Sequence, residues 1–237
     1  LGLIGSLTTP NLDVYWQTIR SEAQKSLGAD QMPRFLVYSV KTRYLKACFD
    51  QADWSGLTEE LVANGRALAE AGADCVVICG SALNPAASEI HEALDMPVIS
   101  LGYSLALKLS SLQHSKVAIL GIKTSREEAM WHNSLRGVEL VQPDQRDREW
   151  LAGCIDAAMI DRPIPVEWKI ETNRIISGLR RGGAQSLILA DAVLGKWIKP
   201  GQSLLYPIDA AEVHAWIATL WALEANFLPA PGCMIVG

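Results

Sequence analysis

Short apolar runs alternate along this chain with longer amphipathic stretches, and that alternation leaves few architectures open. Parallel strands joined by crossover helices produce it: a strand covered on both faces is apolar throughout, and each covering helix is apolar on one side only. Strands are predicted at Leu1–Ile4, Phe35–Ser39, Cys75–Cys79, Pro97–Leu101, Lys116–Leu120, Ser186–Leu189 and Leu204–Ile208. Helical spacing predicts helices at Asn11–Leu27, Leu57–Ala71, Pro85–Leu94, Ser104–Leu112, Ser125–Leu135, Arg146–Met159 and Glu167–Arg181, with a last helix carrying Trp216 and Trp221. The fold class is α/β. Hydrophobic residues make up 49% of the chain and charged residues 20%, at a mean hydropathy of +0.14, which suits a large core and excludes a disordered polymer.

A net charge of -5 and a pI near 5.4, without a dense Lys/Arg stripe, lack the electrostatic footprint of nucleic-acid binding, so a small-molecule substrate is the expected partner. No run approaches the roughly 18 to 20 apolar residues of a membrane span, and no membrane partner is expected. The opening Leu1-Gly-Leu-Ile-Gly5 reads as a buried strand, not as the basic head of a signal peptide. Cys48, Cys75, Cys79, Cys154 and Cys233 are too scattered for a disulfide framework or a zinc finger, which fits a reducing, cytoplasmic setting. His91, His114 and His132 show no ligand spacing, so no metal is expected.

Two stretches resemble each other. Gly72-Ala-Asp-Cys-Val-Val-Ile-Cys-Gly80-Ser81-Ala82 and Gly183-Ala-Gln-Ser-Leu-Ile-Leu-Ala-Asp191-Ala192-Val193 each read as a helix end, a tight turn, a buried strand and an exposed loop. Loops at the carboxyl ends of parallel strands are where open α/β sheets hold their ligands. If two similar lobes face each other, Gly80 and Asp191 stand on opposite walls of one cleft.

With this repeat, the chain resembles the aspartate/glutamate racemase superfamily. The resemblance rests on Leu1-Gly-Leu-Ile-Gly5, Leu36-Val-Tyr-Ser39-Val40 with Trp54, Gly72 through Cys79 with Ala87-Ser-Glu-Ile90, Val117-Ala-Ile-Leu-Gly121 with Glu127, Gly183-Ala184 with its strand, and Asp209 with His214. It implies two flavodoxin-like parallel-sheet lobes related by a pseudo-twofold axis, with the active site between them. One lobe would comprise residues 1–103 plus 206–237 and the other residues 104–205. It also implies a homodimer that needs neither metal nor cofactor.

Chemistry in that family uses two thiols, a base on one face of the substrate carbon and an acid on the other. Counting from each Gly-Ala turn, the two positions fall here on Gly80 and Asp191. Cys79 lies one residue earlier, where strand alternation turns its side chain the other way; a one-residue slip would restore it as a catalytic thiol, but the second copy favours Gly80. The resemblance also implies hydroxyl and amide donors for the substrate carboxylates, where this chain has Ser81-Ala82, Gly121-Ile122 and Ala192-Val193. Fewer donors weaken the binding of a dicarboxylic amino acid, whose charges are costly to desolvate without partners.

Asp191 is the leading catalytic candidate. Desolvation in a cleft would let a carboxylate there act as acid or base near neutral pH, although Asp is also a preferred helix cap. His214 could relay a proton to it, or it could be a buried histidine on the first turn of the last helix, with Asp209 as cap. Ser6, Thr8, Gly80, Ser81 and Asn84 are the candidate substrate-binding residues, on loop tips where hydroxyls, an amide and backbone N–H groups can hold a carboxylate or oxyanion. Ser6, Thr8, Ser81 and Asn84 are also ordinary capping or turn residues, the more common explanation for any one of them. Lys41 is expected to be solvated with Arg43 and Lys46, and the tryptophans of the second half are expected to pack in the core or at a dimer contact. The expected function is one-sided acid/base chemistry on a small carboxylate or carbonyl compound: decarboxylation, isomerisation, elimination or cyclisation. The arylmalonate decarboxylases of the superfamily resemble this chain in having glycine at the first position, but keep cysteine at the second. A non-catalytic ligand-binding homologue and an amino-acid racemase using Cys79 remain as alternatives.

Overall fold

The computed structural model of the protein describes residues 1–6, 10–28, 32–94, 96–159 and 163–223. Strands β1 (Gly2–Gly5), β2 (Leu36–Ser39), β3 (Val76–Ile78) and β4 (Val98–Ile99) form one parallel sheet in the order β2-β1-β3-β4. Strands β5 (Lys116–Leu120), β6 (Glu139–Val141), β7 (Ser186–Leu189) and β8 (Tyr206–Asp209) form a second in the order β6-β5-β7-β8. The two orders are the same, with β3 and β7 in equivalent places. Around the first sheet lie α1 (Pro10–Leu27), α2 (Thr42–Asp50), α3 (Trp54–Glu70) and α4 (Ala87–Leu94). Helices α5 (Leu101–Leu112), α6 (Ser125–Ser134), α7 (Gln145–Ala158) and α8 (Val166–Arg181) follow, and α9 (Ala210–Leu223) closes the described chain.

The repeat extends to the turns that feed the central strands. Gly72 and Gly183 have φ of +90° and +92°, a left-handed conformation that glycine adopts without a Cβ penalty. Ala73 N–H then bonds Leu68 O and Ala184 N–H bonds Leu179 O, so both helix ends close in the same way. Side-chain caps start four of the helices: Asp53 for α3, Ser100 for α5, Thr124 for α6 and Asp144 for α7 each accept an N–H from three residues on.

Each sheet is apolar on both faces. Val76 and Ile78 of β3 join Leu57, Leu61 and Ile90 on one side, whereas Cys75, Val77 and Cys79 join Tyr15, Ile19 and the α9 alanines on the other. In the second lobe, Leu187 and Leu189 face α7 and α8 while Ile188 and Ala190 face α5, α6 and α9. Burying each such Leu or Ile contributes roughly 1.5–3 kcal/mol. Helix α9 lies along α1 and α5 and so bonds the end of the second sheet to the first lobe.

One expected boundary is corrected, and two elements lack a clear pattern in the sequence. Residues 206–209 pair with β7 and belong to the second sheet, so the return to the first lobe begins at α9 and not at 206. β6 went unpredicted because it is a three-residue edge strand with Glu139 exposed, too short and too wet to show a buried run. α2 went unpredicted because it buries only Leu45 and Cys48. Among the described residues, no helix is long and apolar enough to cross a membrane, and no group of three His, Cys, Asp or Glu could hold a metal ion.

Candidate functional site

The loops after β3, β5 and β7 meet where the two lobes join, with Ser81 against Ala190 and Gly121 against Asp191. Gly80, directly after β3, has φ +111° and ψ 137°, a region open almost solely to glycine, and a Cβ there would sit 3.3 Å from Asn11 Nδ2. The first-lobe wall is therefore bare backbone, with an amide from the first turn of α1 lying over it. Cys79 points away from this wall: its side chain packs against Gly5 and the Tyr15 cluster, 3% exposed. Burial pushes its thiol far above the usual range, so it carries almost no thiolate at neutral pH.

On the opposite wall Asp191 follows β7, 7% exposed. One carboxylate oxygen, Oδ1, accepts the Val193 N–H at 2.9 Å and caps the short 3-10 helix Ala192–Lys196. The other, Oδ2, lies 2.9 Å from Lys123 Nζ. Asp191 is thus both a cap and half of an ion pair. Burial draws the Lys123 ammonium down, but Asp191 outweighs it, with smaller help from Asp156 and Glu127, and the net displacement is upward. Lys123 therefore stays an ammonium at neutral pH. Gly121, at φ +93°, allows this approach: a Cβ there would lie 3.0 Å from the Asp191 backbone nitrogen.

Lys123 was missed from the sequence although the Gly121-Ile122 loop was singled out. Its signal was position alone, two residues beyond Gly121 and ahead of the Thr124-x-x-Glu127 capping pattern. Glu127 is fully buried; its Oε2 accepts the Lys123 N–H at 3.0 Å, and its own N–H bonds Thr124 Oγ1. Burial raises its carboxyl above the ordinary range, against the Lys123 amide, Ser81 and Trp131, and Asp191 adds to the rise.

The candidate binding residues divide. Ser81 is at the lobe junction, where its hydroxyl donates to Ala190 O across the cleft at 2.7 Å. Ser6 is buried and hydrogen-bonded to Thr42 Oγ1 at the start of α2, 2.5 Å away. Thr8 lies outside the described residues. Asn84 is corrected to a loop-holding residue: Nδ2 donates to Ile78 O and Gly80 O, and Oδ1 accepts the Leu101 N–H. That amide clasps the turn after β3, with both of its hydrogens and one lone pair of Oδ1 committed to backbone.

His214 is also corrected. It is fully buried in the first lobe, with Nε2 donating to Ile99 O at 2.7 Å and Nδ1 accepting from Tyr15 Oη at 2.5 Å. The tautomer follows from chemistry, since a carbonyl can only accept. With both nitrogens occupied, the ring has none for Asp191, and burial lowers its pKa to about 4, so it is neutral. Asp209 caps α9 by accepting the Ala211 and Glu212 N–H groups, and burial brings its carboxyl up to about 6. Lys41, Arg43 and Lys46 are exposed as expected. A groove of about 500 Å³ runs beside the junction between α1 and residues 192–199, lined by Asp13, Gln17, Ala192, Lys196, Lys199 and Asp209 among others.

The profile of the Asp/Glu/Hydantoin racemase family matches residues 1–218. Among solved structures, a Yersinia pestis protein provisionally described as an Asp/Glu racemase superposes with a TM-score of 0.85 at 20% identity, covering 94% of this chain and 98% of that one. An aspartate racemase homologue of Pyrococcus horikoshii OT3 gives 0.78 at 22% identity, over 94% and 99%. The maleate isomerase Iso of Pseudomonas putida S16 gives 0.54 at 16% identity, over 100% and 97%. At these identities the likeness is one of fold.

Proposed function

The chain belongs to the Asp/Glu/Hydantoin racemase family, and from that premise we propose that it is an enzyme of one-sided proton transfer on a small carboxylate or carbonyl compound, not a two-thiol amino-acid racemase. The observation that carries this reading is the Asp191–Lys123 pair at 2.9 Å on one wall, opposite a glycine on the other. A two-base inversion needs a proton-carrying group on each face of the substrate carbon. Gly80 offers none, and the buried Cys79 faces the first-lobe core.

In the proposed chemistry Lys123 pairs with the substrate's carboxylate or carbonyl oxygen. Asp191 takes the proton from the adjacent carbon or returns it, and the ammonium stabilises the enolate that develops. Decarboxylations, isomerisations, eliminations and cyclisations that begin by loss of a proton or of CO2 next to a carbonyl pass through such a species. A homodimer, a cytoplasmic setting and no cofactor go with this reading; light scattering on the purified protein tests the first.

The test is proton NMR in D2O on pyruvate, malonate and maleate as probes, with L-aspartate and L-glutamate alongside. Expected is exchange or turnover of at least one probe by the wild type, abolished by Asp191→Asn, and no deuterium at Cα of either amino acid. Amino-acid exchange that stops when Cys79 is alkylated would establish a thiol racemase instead. Thermal stabilisation by a probe without any exchange would mark a binding protein.

A further inference from the structure

Glu127 is fully buried and has no role as acid or base in the proposed chemistry. Helix α6 does not need its side chain as a cap, because Thr124 already caps the helix by accepting the Glu127 N–H at 3.1 Å. In a capping box, the acid three residues after the cap returns to the cap's own N–H. Here Glu127 Oε2 reaches one residue further back, to the N–H of Lys123, at 3.0 Å. Its burial is also unlike that of a capping acid: Asp53 and Asp144, which cap α3 and α7, are exposed. A carboxyl group taken out of water is costly unless it is bonded, so the place of Glu127 follows from what it holds.

What it holds is the segment that carries the ammonium. Lys123 is fixed at both ends, its Nζ 2.9 Å from Asp191 Oδ2 and its backbone N–H on Glu127. Between those ends runs a flexible four-carbon stem, so where the ammonium can reach depends on where the backbone starts it. Helix α6 packs against the 3-10 helix Ser81–Ala86 of the first lobe, which seats Glu127 at the lobe junction.

We infer that Glu127 is the positioning residue of Lys123: by accepting the Lys123 N–H it sets the loop so that the ammonium meets Asp191 and, during the reaction, the substrate oxygen. The part that concerns the substrate rests on the proton-transfer reading above. Glu127 acts only through Lys123, on the second-lobe wall. The role asks for an acceptor and not for a charge, and no proton leaves or joins the carboxyl group. Oε1 and the Trp131 indole N–H, neither of which has a hydrogen-bond partner among the described residues, take no part in it.

The coupling between Lys123 and Asp191 reads this placement without any turnover. It is measured by urea unfolding of Lys123→Met, Asp191→Asn and the double variant, each made with Glu127, with Glu127→Gln and with Glu127→Met. The glutamine keeps an oxygen for the Lys123 N–H, whereas the methionine fills the same space without one. The coupling is expected to stay near its wild-type size with Glu127→Gln and to fall by about half or more with Glu127→Met. In the probe assays, kcat/KM is expected to fall about tenfold or more with Glu127→Met, since a small misplacement of a substrate-holding group is costly, and to change little with Glu127→Gln. Hydrogen exchange at the Lys123 amide of the wild type needs no variant: slow exchange is expected, and exchange as fast as in an unfolded chain overturns the inference even if Glu127→Met does not fold. A coupling undiminished by Glu127→Met overturns it too, as does one lost equally with Glu127→Gln, which would assign the effect to charge. A coupling that behaves as expected in a protein that turns over no probe overturns the proposed reaction and leaves the placement of Lys123 standing.

Discussion

Removing the Lys123 side chain without changing its bulk, as Lys123→Met, should expose how much of the second-lobe wall depends on charge pairing. At 2.9 Å and an effective dielectric constant near 20, the attraction between the two charges is about 6 kcal/mol before desolvation is subtracted. Desolvation falls unevenly, because the Lys123 side chain keeps 30% of its exposure and that of Asp191 only 8%. Lys123→Met strands a nearly dry carboxylate whose remaining donor is the Val193 N–H, and should cost about 3 kcal/mol. Asp191→Asn retains the cap and leaves a lysine able to turn to water, and should cost about 1 kcal/mol. The double variant should lose no more than about 1–2 kcal/mol, giving a coupling of roughly 2–3 kcal/mol. Urea and thermal unfolding at pH 7 read these values; about 3 kcal/mol corresponds to ~6–12 °C in Tm for a chain of this size. The Lys123 ammonium is held above its ordinary range, so its contribution is complete below about pH 10 and fades only as pH climbs through the raised value. Losses that simply add in the double variant, within about 0.5 kcal/mol, would refute the pairing argument.

His214 protonates more readily unfolded, near 6.5, than folded, near 4, so stability should be level above pH 6.5 and fall by up to about 3 kcal/mol as pH drops toward 4; His214→Gln should flatten that fall in urea titrations. Asp209 has the opposite sign: with its folded value raised to about 6, the carboxylate is a burden at neutral pH that disappears below about 4. Asp209→Asn keeps the α9 cap and should gain about 1 kcal/mol at pH 8, reduced by the partial exposure of the residue, with no gain at pH 4. Gly80→Ala forces a Cβ into a glycine-only conformation against Asn11 and should cost about 1–3 kcal/mol by urea unfolding; an unchanged midpoint would contradict the backbone at that turn.

The sheets were legible where burial is complete. Cys75–Cys79, Lys116–Leu120 and Ser186–Leu189 are apolar on both sides and could be little else, whereas β6 and α2 lie at wet edges and leave almost no pattern. Counting from the two Gly-Ala turns located Gly80 and Asp191 because each turn ends in a left-handed glycine followed by a strand that runs to the lobe junction. The count could not reach Lys123, whose partner lies across the parallel pairing of β5 with β7, a contact without local trace in the sequence. The same limit misled for His214 and Asn84. Both carry chemistry that suits a site, and both spend it holding backbone, which is visible only once Ile99, Leu101 and Tyr15 are seen around them.

The two walls differ in what each could recover by mutation. At Gly80 the obstacle is conformation: a φ of +111° strains any side chain, so a cysteine fits there only if the turn clasped by Asn84 also changes. At Asp191 the chemistry is charge, one ammonium facing one carboxylate, with a second carboxyl group buried behind them at Glu127. Burial, with a smaller contribution from Asp191, raises the Glu127 carboxyl above its ordinary range, against the Lys123 amide, Ser81 and Trp131. In the proposed reaction an anionic substrate competes with Asp191 for Lys123.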